Sequence, residues 1–396
     1  MADFSVTRNP KQKDLHMAVT LFYMCMLLVF YTYLGYPLLA FCLGGVLGRQ
    51  VKKFPIEPSV SLVIAAYNEQ EAIAATLENK LKLEYPAQRL EIIVVSDGST
   101  DGTDAIVEGF AGRAVRLLRQ EPRAGKTAAL NLAVPQANGE IIVFSDANSI
   151  YAPDALRRIV ANFADPSTGY VTGRMVYAND EGSTVGEGCG AYMRCENSLR
   201  SMESRLGSVV GVDGGIDAVR ASLYRPMSPD LLPDFVLPLR VVEQGYRVVY
   251  EPDALLCESA LKEDADEYRM RVRVSLRAFW ALFEMRMLLN PLKYPLFAWQ
   301  LWSHKVLRYL SFLFLGGAYL SNALLWERGQ CYQGVFLAQN LFYLNAVGLP
   351  FWERIGISGR LLRFSRYFCL LNLAAAHACA KFLVGKKQVV WAPRKG

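Results

Sequence analysis

The sequence predicts an α/β domain built on a sheet with parallel strands, set between apolar helices. Three runs carry the first part of that expectation: Val60 to Ala65, Glu91 to Val95 and Glu140 to Phe144 are apolar and rich in β-branched residues. Such text suits strands buried on both faces, with helical stretches alternating between them. The second part rests on long uncharged stretches at both ends of the chain.

From His16 to Gly48 no Asp, Glu, Lys or Arg occurs. At about 1.5 Å per helical residue this run exceeds a hydrocarbon core of about 30 Å, so it reads as a tilted transmembrane helix, kinked or ended at Pro37. A cleaved signal peptide fits less well, because its apolar region is about 7 to 15 residues and ends at a small-residue cleavage site. Tyr309 to Trp326, Gly329 to Trp352, and Tyr367 to Val384 with Lys381 inside it are three further apolar stretches. Trp326, Tyr332, Trp352 and Tyr367 at their ends suit an interfacial belt. The expected organisation is an N-terminal helix over 1–50, a catalytic domain over 51–262, amphipathic interface helices over 263–304 and a membrane region over 305–396.

Arg8, Lys11 and Lys13 precede the first helix while Arg49, Lys52 and Lys53 follow it, so the positive-inside rule is balanced there. Arg354, Arg360, Arg363 and Arg366 place their loop, and by counting the central domain, in the cytoplasm of a plasma membrane. The tail Lys386, Lys387, Arg394 and Lys395 is then expected outside, against the rule, unless a segment is re-entrant or the charge bias is overridden. The net charge of +6 sits beside apolar stretches with no aromatic-basic repeat, which suits lipid head groups and a phosphorylated ligand, not nucleic acid. Eight cysteines form no C-x-x-C pair and the three histidines are far apart, so neither disulfides nor zinc are expected.

Within the central region, Asn68 is a candidate cap for a helix through Leu81, and Asp97-Gly98-Ser99-Thr100-Asp101 makes a tight turn into a helix reaching Phe110. Val115 to Leu118 is a short strand, Thr127 to Val134 a helix, Asp154 to Phe163 a helix and Gly169 to Tyr177 a strand. A helix over Gly186 to Leu206, a strand through Arg220, a helix over Pro233 to Gln244 and a strand over Arg247 to Glu251 follow. Glu263 to Leu289 and Leu296 to His304 read as amphipathic helices lying on the membrane surface.

Asp97 and Asp146 each stand just past an apolar run, where an open α/β sheet places its ligand. Carboxylates there can take base and ribose contacts or hold a divalent cation against a pyrophosphate. Read singly, Asp97 is equally a turn residue capping the next helix, Asp146 a turn residue, and Lys126 a solvated lysine.

Ala65-Ala66-Tyr67-Asn68-Glu69, the Asp97 to Asp101 turn, Arg123-Ala124-Gly125-Lys126-Thr127-Ala128-Ala129-Leu130-Asn131 and Phe144-Ser145-Asp146-Ala147-Asn148 together resemble the membrane-embedded family 2 glycosyltransferases. This group includes cellulose, chitin, hyaluronan and poly-N-acetylglucosamine synthases. The resemblance runs from Tyr33-Leu34-Gly35-Tyr36-Pro37 to Trp391. It implies a GT-A catalytic domain, a Rossmann-like mixed sheet, with Ala65, Tyr67, Glu69, Asp97, Lys126 and Asp146 on the nucleotide sugar. It implies Mg²⁺ or Mn²⁺ at Asp146, with Asn148 replacing the family's usual third-position acid.

Pro233-Asp234-Phe235-Val236-Leu237-Pro238-Leu239 resembles the element that supplies the family's general base, which makes Asp234 the expected base of an inverting transfer from a UDP-sugar. Asp234 is also readable as a helix cap, with Asp230 a weaker candidate base. Gly214 and Gly215 are expected to let backbone approach the acceptor, or simply to turn. The family's Q-x-x-R-W is absent; Arg273 or Arg277 is expected on the diphosphate and Trp280 on the acceptor. The implied acceptor is a growing polysaccharide or a lipid-linked saccharide, at the bilayer, and a homo-oligomer is compatible with all of this. The alternative is a nucleotide-sugar-binding subunit without turnover.

Overall fold

The structure of the protein, a computed structural model, describes residues 10–177, 184–258, 264–355 and 359–389. Arg8, Glu263, Trp391, Arg394 and Lys395, named above, lie outside them. Helix α1 (Pro10–Phe30) passes through a π-helical turn, Tyr31–Gly35, into α2 (Tyr36–Val46), so the helix continues past Pro37. Proline has no N–H to donate and crowds the carbonyl four residues earlier; the wider turn just upstream is where the helical ladder yields.

The catalytic region then runs β1 (Val60–Ala66), α3 (Ile73–Leu81), β2 (Leu90–Asp97), α4 (Thr103–Glu108), β3 (Val115–Gln120), α5 (Lys126–Ala133) and β4 (Ile141–Asp146). It continues with β5 (Ile150–Tyr151), α6 (Ala155–Ala161), β6 (Thr168–Tyr177), α7 (Thr184–Leu206), β7 (Ile216–Arg220), α8 (Pro233–Glu243) and β8 (Arg247–Glu258). The eight strands form one sheet in the order β3-β2-β1-β4-β7-β6-β8-β5. Strands β1 to β4 are parallel, as expected, and β6 is parallel to β8. Strand β7 is antiparallel to both β4 and β6, and β5 to β8, so the sheet is mixed.

Alternation along the strands fills two cores. Val63, Ala65, Ile93, Val95, Ile142 and Phe144 face one side, and Leu62, Ile64, Ile92, Val94, Ile141 and Val143 the other. The second side is covered by α3, α4 and α6. The first is covered by α5, α8, α9 (Asp264–Glu284) and α10 (Pro295–Leu301). Helix α9, expected on the membrane surface, sends Ala278, Ala281 and Leu282 into the sheet's core, followed by Met285 just past its end.

A π-helical turn, Trp302–Val306, leads to α11 (Leu307–Tyr309), α12 (Ser311–Leu324), α13 (Gln330–Arg354) and α14 (Arg360–Leu383). Among the described residues one helix, Asp14–Val46, is long and apolar enough to cross a membrane; α12 is apolar but has 14 residues. Three C-terminal stretches of that kind were expected. Gln333, Gln339, Asn340 and Asn345 interrupt α13, and Arg363, Arg366 and Lys381 interrupt α14. Large apolar side chains are nevertheless exposed on the N-terminal helix, including Leu27, Leu34 and Leu38, and on α12 and α13, including Leu320 and Leu341.

Helix α14 lies against α9, with Ala374 and Ala378 packed on Val272 and Leu276. Past Gly385 (φ +72°) the chain turns onto the catalytic domain. Trp280 Nε1 donates to the Lys386 carbonyl at 2.9 Å, and Lys387 Nζ is 2.5 Å from Asp230 Oδ2. The tail up to Val389 thus shares a side with the catalytic domain, correcting its expected place across the membrane. Ala374→Leu should lower stability by about 1–3 kcal/mol through overpacking of the α9–α14 seam, read as a fall in the Tm of the detergent-solubilised protein.

Candidate active site

Sheet register assembles the site. Ala65 on β1 pairs with Asp146 on β4, and Ala66 with Ser96 on β2, so the acid-bearing strand ends are level. Asp97 does not face the opening. It is fully buried, accepting from Gln120 Nε2 at 2.5 Å, Ala124 N at 2.7 Å and Gly125 N at 3.0 Å, with Arg123 Nε 3.6 Å away. Its carboxylate holds the basic loop. Nor does it cap α4, which Asp101 does by accepting from Thr103 N at 3.0 Å. Asn68, expected as a cap, has φ +53°, and its Oδ1 accepts from Thr100 N at 2.8 Å. Above this turn the Arg123 guanidinium lies 3.3 Å from the Tyr67 ring centroid.

The loop that Asp97 holds delivers Lys126 to the first turn of α5 through Gly125, whose φ of +94° favours glycine. Lys126 Nζ lies 2.8 Å from Asp146 Oδ1 and 3.3 Å from Asp234 Oδ1. One ammonium thus joins two carboxylates from elements 88 residues apart, β4 and α8. Burial opposes the charge on Lys126, but the two acids outweigh it and raise its pKa. Burial also raises the pKa of Asp234, with Lys126 pulling it down and Asp146 pushing it up.

Asp234 is the second residue of α8, so its side chain turns into the opening while the helix dipole favours its ionised form. Gly214 backs it: at φ +87°, a Cβ there would lie 2.6 Å from the Asp234 carboxyl carbon. Gly215 packs against Leu256 and Glu258, and its carbonyl accepts from Tyr151 OH at 2.8 Å. The two glycines therefore make room for protein atoms.

The three charged groups line a cavity of about 260 Å³ together with Ala65, Glu69, Asn148, Arg273 and Arg277. Arg277 is 6% exposed and is anchored by Nη2 donation to the Leu231 carbonyl and, at 3.2 Å, to Thr127 Oγ1. Its Nε has no partner among the described residues, and burial lowers its pKa to about 10. Trp280 does not line the cavity; it packs on Phe382 beneath the tail, 4.7 Å between ring centroids. Asp230, paired with Lys387, is likewise elsewhere.

Asp146 is held from below by contacts that the sequence does not reveal. Thr76 Oγ1 donates to the Ala147 carbonyl at 2.7 Å and the buried Lys80 Nζ to that of Ser149 at 2.6 Å. Asp146 and Asn148 offer two oxygen donors, the hard set that Mg²⁺ or Mn²⁺ takes when phosphate oxygens complete the shell. Among the described residues no group of three or more His, Cys, Asp or Glu side chains gathers as a self-sufficient metal site.

Asp217 on β7 also escaped sequence reasoning. It is 1% exposed, neither carboxylate oxygen has a hydrogen-bond partner among the described residues, and burial together with the Asp234 charge raises its pKa to about 8. A lone acid in the apolar run Ile216-Asp217-Ala218-Val219 was the available signal. Behind the cavity His304 is buried between Glu203 (2.7 Å) and Glu196 (3.2 Å), and Tyr36 OH of α2 donates to Glu203 at 2.5 Å.

A mixed, curled sheet with acids at its strand ends and a cationic helix beside them defines a glycosyltransferase of the GT-A fold. Residues 61–203 match the Glycosyl transferase family 2 model, so the chain carries a domain homologous to that family. It is 27% identical over 323 residues to the poly-beta-1,6-N-acetyl-D-glucosamine synthase of Staphylococcus epidermidis, covering 78% of this chain and 75% of that protein. It is 32% identical over 169 residues to the beta-monoglucosyldiacylglycerol synthase of a Synechocystis species, covering 42% and 34%. The fold is that of the mannosyltransferase of Pyrobaculum calidifontis, solved in complex with GDP-Man and Mn²⁺: TM-score 0.71, 23% identity, 92% of this chain and 99% of that one.

Gly214→Ala should displace Asp234 and lower the transfer rate by about tenfold or more, since a misplacement of about 1 Å can cost about a hundredfold; steady-state kinetics of the variant checks this. Asp217 is protonated in the folded protein up to about pH 8, whereas in the unfolded chain it ionises near its ordinary value. Its contribution to stability therefore declines as pH rises between those two values. The Tm advantage of Asp217→Asn over wild type should grow from pH 5 to pH 8, as thermal melts at the two pH values would read.

Proposed function

We propose that this glycosyltransferase moves a sugar from a UDP donor, with inversion, to a polysaccharide or lipid-linked acceptor, using Asp234 as general base. The observation that carries this reading is the shared ammonium of Lys126, within 3.3 Å of both Asp146 and Asp234, at the mouth of one cavity. The acceptor hydroxyl gives its proton to Asp234 as its oxygen bonds to the anomeric carbon. On the opposite face the bond to the diphosphate breaks, and that oxygen leaves with the electron pair.

Asp146 and Asn148 would hold Mg²⁺ or Mn²⁺, which neutralises charge on the leaving diphosphate when bound. Lys126, Arg277 and Arg273 add positive charge on the same side. Ala65 and Glu69 border the donor, while Tyr67 and Asp97 act through the basic loop that they help to hold.

In this reading the catalytic unit begins near residue 51 and continues through α9 and α10, because those helices share its core. The apolar helix Asp14–Val46 and the exposed leucines beside it support a place at the inner membrane, with the catalytic domain cytoplasmic.

Asp234→Asn should lower kcat by about 10²- to 10⁴-fold, the usual worth of a general base, with the donor KM little changed. In wild type, kcat/KM should fall as pH drops through the raised pKa of Asp234, higher than an exposed aspartate would set. Nucleotide release measured with UDP-glucose, UDP-galactose, UDP-N-acetylglucosamine and UDP-glucuronate checks both and identifies the sugar. Release from none of them with Mn²⁺ present would favour a binding subunit, the reading that Asn148 and the missing Q-x-x-R-W motivate.

A further inference from the structure

Lys305 stands in the π-helical turn Trp302–Val306 and lines the same cavity as Asp234, Phe235 and Arg277. Its ammonium rests on the bare backbone of Gly211, where a Cβ would lie 2.3 Å from Nζ. A side chain there would have to displace the ammonium. Nζ is 5.8 Å from the centroid of the Phe235 ring.

The acids around it are already matched. Glu196 is held by Arg308 and His304, Glu203 by His304 and Tyr36, Asp213 by Arg200 at 2.6 Å, and Asp234 by Lys126. Among the described residues no carboxylate lies within ion-pairing distance of Lys305. Burial lowers its pKa, and Glu196 and Glu203 oppose that shift from a distance. A half-buried cation without a counter-ion is costly, and the cost is recovered when a ligand brings the anion.

Two features put that anion on the acceptor side. Gly211 opens the loop that ends at Gly214 beneath Asp234, whereas Ala65, Asp146 and Asn148 stand at the strand ends. The wall nearby carries Met270, Val274 and Ala278 of α9 and Tyr309. A cation beside an apolar wall suits a phosphate borne on a hydrocarbon chain.

Resting on the reading of Asp234 as base, we propose that Lys305 anchors the phosphate of a lipid-borne acceptor and so makes such acceptors the preferred ones. The phosphate can come from a glycerophospholipid or from an isoprenoid phosphate; the chemistry at Lys305 is the same.

The test is calorimetric titration of the detergent-solubilised full chain with dihexanoyl phosphatidate, farnesyl phosphate and their phosphate-free counterparts, dihexanoylglycerol and farnesol. At least one phosphate-bearing lipid should bind about tenfold more tightly than its counterpart, as expected for a hydrogen bond to a charged group. Whichever phosphate lipid shows the preference identifies the source. Lys305→Gln should abolish the preference, Lys305→Arg should keep it, and UDP affinity should change by less than about twofold in both. Equal affinity for phosphate-bearing and phosphate-free lipids, or a loss of UDP affinity in Lys305→Gln matching its loss of lipid affinity, would overturn the proposal. Binding is read without turnover, so failure here is distinct from failure of UDP-sugar transfer, which nucleotide release reports.

Discussion

Two carboxylates that close to one another are stable as anions only with a cation between them, and Lys126 is that cation. Much else in the domain serves its position. Asp97 spends its oxygens on the loop that leads into α5; Gly125 adopts the backbone that starts the helix at Lys126; Gly214 yields its side-chain space to Asp234. Thr76, Lys80 and Asn79 fix the segment after Asp146 from beneath the sheet. The arrangement is a resting site in which one ammonium is shared between two carboxylates.

The parts visible in the sequence are those with a local signature. Strands β1, β2 and β4 are continuous apolar runs, and Asp146 follows one of them; Asp234 follows Pro233 at a helix start. What the sequence hid depends on contacts distant in the chain. Nothing near Asp97 in the chain shows that its carboxylate accepts from the N–H groups of Ala124 and Gly125. Trp280 was read as an acceptor platform, but the tail covers it. At the C-terminus the apolar text gave no sign that α14 uses its small residues to pack on α9. Strand β7 is short and carries Asp217, so neither its antiparallel pairing nor the buried acid was predictable from period alone.

The first apolar helix is joined to the catalytic domain by specific polar contacts. Tyr36 reaches Glu203, and Tyr31 OH lies 2.7 Å from Ser303 Oγ and accepts from Trp299 Nε1 at 2.9 Å. His304 and Arg308 complete the same buried network, and Lys305 projects from that segment into the cavity. The first apolar helix and the wall of the cavity are thus built on shared residues.

The central claim is a division of labour: Asp146 for the cation and donor, Asp234 for the acceptor proton. Equilibrium binding of UDP with and without Mn²⁺ to the two asparagine variants tests it most directly. The account predicts that Asp146→Asn loses the Mn²⁺-dependent gain in affinity while Asp234→Asn keeps it. Loss of that gain in Asp234→Asn with Asp146→Asn unaffected, or equal loss in both, would contradict it.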